Sequence, residues 1–124
     1  MEDLIIKKSV NTPEVNFQFD SGTFRVSGVL DPVDPGAFFE PLIFKLEGFA
    51  HENINESSLE VSLDYIRISS IPGLLKLLDK FYDLTRHGQK VKVSWISRVE
   101  DEAIRETGEE LSRKCLLDFE FVEK

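Results

Sequence analysis

The 124-residue sequence has a single cysteine and no long apolar run. Cys115 alone cannot form an intrachain disulfide, and this favours a reducing, cytoplasmic compartment. The N-terminus, Met1 to Leu4, is acidic where a signal peptide is basic. No stretch approaches the roughly 20 apolar residues that a membrane-spanning helix needs. We therefore expect a cytoplasmic protein without membrane insertion, folded as one domain over residues 1–124.

Basic residues are also in short supply, because 15 lysines and arginines stand against 23 acids, for a formal net charge of −8. A surface of this sign repels phosphate backbones, so we expect no nucleic-acid partner. Residues 1–60 carry 11 acids and 4 bases, whereas residues 73–93 carry 2 acids and 5 bases. This unevenness fits either an ordinary solvated surface or a polarised face that steers a protein partner.

Motifs of the common enzyme classes are missing as well: the sequence has no GxGxxG, GxxxxGK(S/T), GxSxG or HExxH. His51 and His87 are far apart and lack the spacing of a metal site. Cys115 is predicted to be a small buried side chain rather than a nucleophile. The acids between Glu100 and Glu110 are more typical of a solvated helix face than of a Mg²⁺ site. We therefore expect no catalytic centre, cofactor or metal.

Alternation of apolar and polar residues, with a period of two, predicts several strands. They cover Leu4–Ser9, Val15–Phe19, Phe24–Gly28, Leu59–Tyr65, Lys90–Ile96 and Leu117–Phe121, and the second and third form a hairpin at Asp20-Ser21-Gly22. In the fourth strand, Tyr65 shares the parity of Leu63, whereas Ile66 and Ile68 have the opposite parity. This switch predicts that the end of the strand is covered on both faces. Trp95 is predicted to point into the core.

Three segments show helical spacing: Ala37–His51, residues 73–87 and Glu100–Arg113. Asp34, or the residues just after it, should begin the first helix, whose apolar side contains Phe38, Leu42, Leu46 and Phe49. The order β-β-β-α-β-α-β-α-β predicts an α/β fold, bordering on α+β, with a mixed, largely parallel sheet of five to six strands.

The connection between the fourth strand and the second helix contains Ser69 and Ser70, followed by Pro72. Free N–H groups and the positive end of the helix dipole favour a phosphate at such a place. A phosphorylated serine there would exclude a partner that packs on a neutral surface. The other interpretation is that the two hydroxyls only cap the helix.

Short motifs in a characteristic order run through nearly the whole chain. They are Thr12-Pro13-Glu14-Val15-Asn16-Phe17, Ser27-Gly28, Phe38-Phe39-Glu40-Pro41-Leu42, Leu63-Asp64-Tyr65, Ser69-Ser70, Val93-Ser94-Trp95 and Glu106-Thr107-Gly108-Glu109. In these motifs the sequence resembles the SiaC-type bacterial regulators, which are similar in fold to the SpoIIAA-type anti-sigma-factor antagonists, or STAS domains.

The resemblance implies a partner-switching protein that is a ligand and a kinase substrate rather than an enzyme. In this family the unphosphorylated protein binds and activates a diguanylate cyclase. A kinase of the histidine-kinase-like ATPase type phosphorylates it and releases the cyclase, and a PP2C-type phosphatase restores it. The partner-binding segment implied here consists of Tyr65, Arg67, Ile68, Ser69, Ser70, Ile71 and Pro72.

One departure from the family pattern bears on the switch. The family has Asn-Thr-Ser-Ser, with the threonine as phosphoacceptor, whereas this chain has Arg67-Ile68-Ser69-Ser70. Either Ser69 or Ser70 is the acceptor, with Ser69 slightly favoured, or the protein binds its partner constitutively. Arg67 adds a cation at the expected docking surface. A small-molecule or nucleotide-sensing STAS-like domain is the alternative function, although the Gly-rich phosphate loop that favours it is missing.

Overall fold

The computed structural model describes residues 1–52 and 54–124, and the elements in these ranges follow the predicted order. They are β1 Leu4–Ile6, β2 Glu14–Gln18, β3 Thr23–Leu30, α1 Pro35–Phe49, β4 Glu56–Ile66, α2 Ile71–Arg86, β5 Lys90–Ser97, α3 Glu102–Cys115 and β6 Phe119–Glu123, with a 3-10 turn at Ile68–Ser70. None of the described helices is long and apolar enough to cross a bilayer.

All strands lie in one sheet in chain order, from β1 at one edge to β6 at the other. The pairs β1–β2 and β2–β3 are antiparallel, whereas β3, β4, β5 and β6 are parallel to one another. Each parallel connection contains a helix, and connections of this kind are right-handed. Because each new strand is added on the same side, the three helices lie on one face of the sheet. The predicted mixed, largely parallel α/β sheet is confirmed, with six strands.

The buried strand residues come from the face that the helices cover, as the period-two patterns predicted. At the centre of this layer, five phenylalanines from the β2–β3 hairpin, α1 and α2 meet with ring centroids 5.1 to 6.2 Å apart. This phenylalanine cluster consists of Phe17, Phe19, Phe24, Phe49 and Phe81, all buried. Most of the pairs are edge-to-face, the arrangement that the ring quadrupoles favour. The cluster therefore fixes two helices against the hairpin.

The first strand is shorter than predicted. It ends at Ile6, because the chain then turns: the backbone N–H of Ser9 donates to the carbonyl oxygen of Thr12 at 2.9 Å. A residue bound within such a turn cannot also continue the ladder with β2.

The first helix begins at Pro35, two residues before the predicted Ala37, and Asp34 is its N-cap. The Asp34 carboxylate accepts a hydrogen bond from the Ala37 backbone N–H at 3.1 Å, so the expectation that Asp34 begins the helix is confirmed. The buried stripe contains Phe39, and Phe38 is only half-buried. The predicted Phe38 also packs against the core, but Phe39, three residues before Leu42, is the one of the two that is buried.

A bulge between β3 and β4 changes which side chains face the helices. Gly28 is opposite Leu63, but the next residue, Val29, is opposite Tyr65. Gly28 has a φ of +120°, a conformation that favours glycine. The extra β4 residue in the bulge reverses the alternation beyond it. Tyr65 therefore points away from the helices, although in the sequence it shares the parity of the buried Leu63.

Trp95 is buried, as predicted, and it marks the closest approach of a helix to the sheet. Its indole Nε1 donates a hydrogen bond to the carbonyl oxygen of Ile104 in α3 at 2.9 Å. One turn further along, Gly108 lies so close that a Cβ atom there would overlap the indole ring. Gly108 is therefore required for α3 to pack on β5.

Substituting Gly108→Ala should lower the free energy of unfolding by about 1–3 kcal/mol, the usual effect of overpacking a core. The higher helix propensity of alanine offsets up to about 1 kcal/mol of this loss. Urea denaturation followed by Trp95 fluorescence measures the change. The control is Gly36→Ala, where the added Cβ meets only an ordinary contact, 3.5 Å from Asp34 Oδ1. A Gly108→Ala variant as stable as the Gly36→Ala control would contradict the close packing.

Candidate partner-binding site

The segment Tyr65–Pro72, here called the junction, connects β4 to α2 at the edge where the parallel strands end. Two hydrogen bonds fix its backbone at Arg67. The Arg67 N–H donates to the Leu30 carbonyl oxygen, and the Ser70 N–H donates to the Arg67 carbonyl oxygen, each at 2.9 Å. The 3-10 turn leads directly into α2, with Pro72 in the first helical turn. A proline there loses no hydrogen bond, because the first N–H groups of a helix are unpaired. The junction is therefore a defined surface.

Two apolar side chains of the junction are exposed. Ile68 is 82% exposed and Tyr65 is 49% exposed. The prediction that Ile68 ends a strand covered on both faces is wrong, because β4 ends at Ile66 and Ile68 begins the 3-10 turn. Both side chains are therefore available for contact with a partner.

The two serines of the junction are in different environments. Ser69 is exposed, whereas Ser70 is 0% exposed. Ser70 occupies the N-cap position of α2, but its Oγ has no hydrogen-bond partner among the residues that the structure describes. The interpretation of Ser70 as a side-chain cap is therefore wrong. In this conformation its hydroxyl is also inaccessible to a kinase.

The cation that Arg67 brings to the junction is paired within the chain. Its Nε donates a hydrogen bond to Asp31 Oδ1, in the loop after β3. This hydrogen bond and the charge of Asp31 raise the pKa of Arg67 above its usual value. Asp31 compensates the charge of Arg67. The Arg67 side chain nevertheless remains more than half exposed, so a partner can contact it. Arg67 thus ties the junction to the loop before α1.

A groove of about 1050 Å³ extends from the junction between α1 and the first turns of α2. This α1–α2 groove is lined by Pro35, Gly36, Phe39, Glu40, Pro41, Ile43, Phe44, Glu47, Ser69, Pro72, Gly73 and Lys76. Most of these side chains are apolar, and Phe44 is 72% exposed. A continuous apolar surface with a few charged residues at its rim is the usual composition of a protein-binding site.

Sequence reasoning located the junction but missed the contribution of α1. The signal was present, because α1 carries Ile43 and Phe44 in addition to its buried stripe and is apolar nearly all round. The floor of the groove depends on a tertiary contact. Gly73 leaves room for the Phe39 ring, which a Cβ atom at that position would overlap. The depth of the groove therefore follows from a helix–helix contact.

At the far end of α1 and α2 the fold brings together the two histidines that the sequence separates by 36 positions. The ring centroids of His51 and His87 are 6.3 Å apart, and His87 Nδ1 lies 2.9 Å from the Asp83 carbonyl oxygen. His87 is the C-cap of α2, so the helix ends one residue before the predicted boundary at residue 87. Among residues 1–52 and 54–124, no three histidine, cysteine or acidic side chains are grouped closely enough to hold a metal ion.

Cys115 lies at the end of α3 and is buried, as predicted. Burial raises the pKa of its thiol, which lowers the fraction of the nucleophilic thiolate. The environment of Cys115 is therefore that of a core side chain and not of an activated nucleophile.

Comparison with known proteins identifies the family to which this arrangement belongs. The family model described as "SiaC family regulatory phosphoprotein" matches residues 6–124, nearly the whole chain. The chain belongs to the SiaC family. The resemblance seen in the sequence motifs is thereby confirmed. An uncharacterized protein of Pseudomonas aeruginosa (strain UCBPP-PA14) is 25% identical over 119 residues, covering 96% of this chain and 94% of that protein.

Solved structures confirm the fold of this SiaC-family chain. Apo-SiaC from Pseudomonas aeruginosa superposes with a TM-score of 0.87 at 24% identity, covering 98% of this chain and 99% of that one. A chain in the crystal structure of the diguanylate cyclase SiaD in complex with its activator SiaC, also from Pseudomonas aeruginosa, gives a TM-score of 0.89 at 24% identity. That match covers 98% of this chain and 100% of the other.

Substituting Ser70→Ala should leave the free energy of unfolding unchanged or raise it by up to about 2 kcal/mol, because it removes a buried hydroxyl that has no partner. Ser57→Ala is the matched control. The buried Ser57 hydroxyl donates to Gln89 Oε1 at 2.6 Å, so its removal should lower stability by about 1–3 kcal/mol. Thermal and urea denaturation measure both. If Ser70→Ala destabilises as much as Ser57→Ala, the Ser70 hydroxyl has a hydrogen-bonding role that its environment does not suggest.

Proposed function

We propose that this chain is a non-catalytic, cytoplasmic regulator that binds and activates a diguanylate cyclase through the junction and the α1–α2 groove. The observation that carries the proposal is the exposure of two large apolar side chains, Ile68 in the junction and Phe44 in the α1–α2 groove, within a family of regulatory phosphoproteins. The SiaC of Pseudomonas aeruginosa, similar in fold, is the activator in a complex with the diguanylate cyclase SiaD. The same class of partner would fit the surface described here.

A binding role rather than a catalytic one is supported by the chemistry of the site. Most of the side chains that line the groove are apolar, and two charged side chains of the site are in ion pairs, Arg67 with Asp31 and Glu47 with Lys80. Apolar side chains contribute to binding through the area they remove from water, and buried aromatic anchors carry much of the affinity of an interface. Phe44 and Ile68 are the side chains that gain most from such burial.

We propose Ser69 as the phosphoacceptor of the switch. Its side chain is exposed, it lines the groove, and it lies two residues before α2, whose free N–H groups and dipole favour a phosphate. A phosphate there would add a charge of about −2 to a surface that must be desolvated on binding, and the partner would be released. A histidine-kinase-like ATPase kinase would add the phosphate and a PP2C-type phosphatase would remove it.

Constitutive binding is the alternative form of the same function. Ile68 occupies the position at which the family threonine is phosphorylated, and it cannot be modified. Its 82% exposure places an apolar side chain where that threonine would present its hydroxyl. A protein fixed in the unphosphorylated state would keep its cyclase active without interruption.

A small-molecule sensor is the second candidate function, and the size of the groove is the observation that favours it. Its volume of about 1050 Å³ is comparable with ligand pockets, which measure roughly 300–1,000 Å³. A ligand present at a hundred times its Kd would stabilise the protein by about 2.7 kcal/mol, which a thermal-shift screen of nucleotides and metabolites would detect. Stabilisation by one of these compounds would support a small-molecule ligand over a protein partner.

Introducing a charge with Ile68→Asp should weaken binding to the cognate cyclase at least about tenfold, because a central apolar contact is replaced by a carboxylate that must be desolvated. Calorimetry with the purified cyclase measures Kd, and the rate of cyclic-di-GMP formation reports activation. The control is Leu116→Asp, at an exposed residue beyond α3 with a φ of 63°, which aspartate tolerates. Equal affinities for the two variants would contradict the proposed surface.

Incubation with the cognate kinase and ATP should add one phosphoryl group to the wild-type chain, detected by intact-mass spectrometry. Ser69→Ala should abolish this gain and Ser70→Ala should preserve it, because Ser69 is exposed and Ser70 is buried. The positive control is Ile68→Thr, which recreates the acceptor of the family. If only the Ile68→Thr variant is phosphorylated, the Ser69 proposal fails and the constitutive form is supported.

A further inference from the structure

The strand β6 forms the outer edge of the sheet on the side away from the β2–β3 hairpin. The backbone N–H of Lys124 donates to the Ser97 carbonyl oxygen at 3.0 Å, so Lys124 directs its N–H towards β5. Successive residues of a strand direct their N–H and C=O groups to opposite sides. Val122 and Glu120 therefore also bond to β5, whereas Phe119, Phe121 and Glu123 direct their backbone groups outward. No strand of residues 1–52 or 54–124 pairs with that outer edge.

Apolar side chains adjoin this open edge. Phe119 stacks on Trp95 with a centroid distance of 5.9 Å, which places Phe119 and Phe121 on the helix side of the sheet. The helix α3 packs over β4 and β5, and Phe121 beside it remains 41% exposed. An exposed aromatic next to unpaired backbone groups is a combination that natural edge strands usually avoid.

The charges of the edge are neutralised within the chain. Glu120 pairs with Lys92 at 3.4 Å, and Glu123 pairs with Arg105 at 3.7 Å. Like charges on β6 of two copies would otherwise repel each other. Because Glu120 and Glu123 are each paired with a base of their own chain, the repulsion between the β6 strands of two copies is reduced.

We propose that β6 pairs with β6 of a second copy in an antiparallel manner, about a two-fold axis at Phe121. In this register Phe121 faces the same residue of the second copy, and Phe119 faces Glu123. All three are residues whose N–H and C=O groups point outward, so every pair exchanges two hydrogen bonds. The exposed Asp118 would lie opposite Lys124 of the second copy, whose Nζ already donates a hydrogen bond to Ser62 Oγ of its own chain at 2.6 Å. The edge is thus complementary to itself in hydrogen bonding.

The opposite edge of the sheet lacks these features. The strand β1 has only three residues and is followed directly by Lys7 and Lys8. Short edge strands and lysines are two devices that discourage pairing between sheets. Self-association is therefore expected at β6 and not at β1.

The dimer would join two sheets without covering the junction. Antiparallel pairing reverses the strand direction, so the edges at which the parallel strands end would lie at opposite ends of the combined sheet. Each copy would keep its junction and its α1–α2 groove free. The inference does not depend on the proposed function, and it adds a bivalent arrangement of the two binding surfaces.

Sedimentation velocity of the full chain over a wide concentration series tests the proposal. The wild type should show a monomer–dimer equilibrium with a dimer of twofold mass. Phe121→Glu should be monomeric at every concentration, because it places two like charges opposite each other at the axis. The matched control Ile5→Glu, at an exposed residue of β1, should dimerise as the wild type does. Circular dichroism verifies that each variant is folded.

Mixing of charge variants tests the register itself. Phe121→Lys should also be monomeric alone, whereas an equimolar mixture with Phe121→Glu should restore the dimer through opposite charges at the axis. A wild type that stays monomeric would overturn the proposal, and so would a dimeric Phe121→Glu variant or a control that dissociates. A mixture that remains monomeric would overturn the two-fold register at Phe121. Cyclase binding by Phe121→Glu would separate these outcomes from failure of the proposed function.

Discussion

The phenylalanine cluster beneath α1 and α2 is the contact on which the rest of the structure depends. It joins the β2–β3 hairpin to both helices in one buried layer, with several edge-to-face ring pairs that share the same members. Since Phe24 contacts both Phe49 of α1 and Phe81 of α2, the two helices are fixed relative to each other as well as to the sheet. Two contacts shape the α1–α2 groove. The phenylalanine cluster holds the two helices together in the core, and at the end of the helices near the junction Gly73 leaves room for the Phe39 ring.

The strand order then determines where a partner can bind. Four parallel strands in chain order end at the same edge, and this edge receives the loop after β3, the junction after β4 and the residues after β5. Ion pairs connect these segments, Asp31 with Arg67 and Asp64 with Arg98 at 3.4 Å. The bulge beside Gly28 turns Tyr65 away from the helices. This shift in register thus directs the aromatic ring of Tyr65 to the face of the sheet opposite the helices, where it is 49% exposed.

The structure shows the environment of Ile68, which stands where the family pattern has a threonine. The side chain lies in the 3-10 turn and is largely exposed, so its change leaves the fold intact and alters only what a partner meets. The adjoining serines differ because the tight turn directs Ser70 inward and leaves Ser69 at the mouth of the groove. Arg67, the second departure from the family pattern, is balanced by Asp31. The two departures thus place an exposed apolar side chain beside an ion-paired cation.

By itself, the sequence determined the elements, their order, the α/β class and the family, because apolar periodicity and short motifs are local properties. The capping role of Asp34 and the burial of Trp95 and Cys115 followed from the same local patterns. Only the tertiary structure decided that Ser70 is buried and Ser69 exposed. It also decided that α1 forms half of the groove and that the outer edge of β6 has no paired strand among the described residues. These features depend on register, on a bulge and on helix contacts between residues distant in the chain, which no local pattern records.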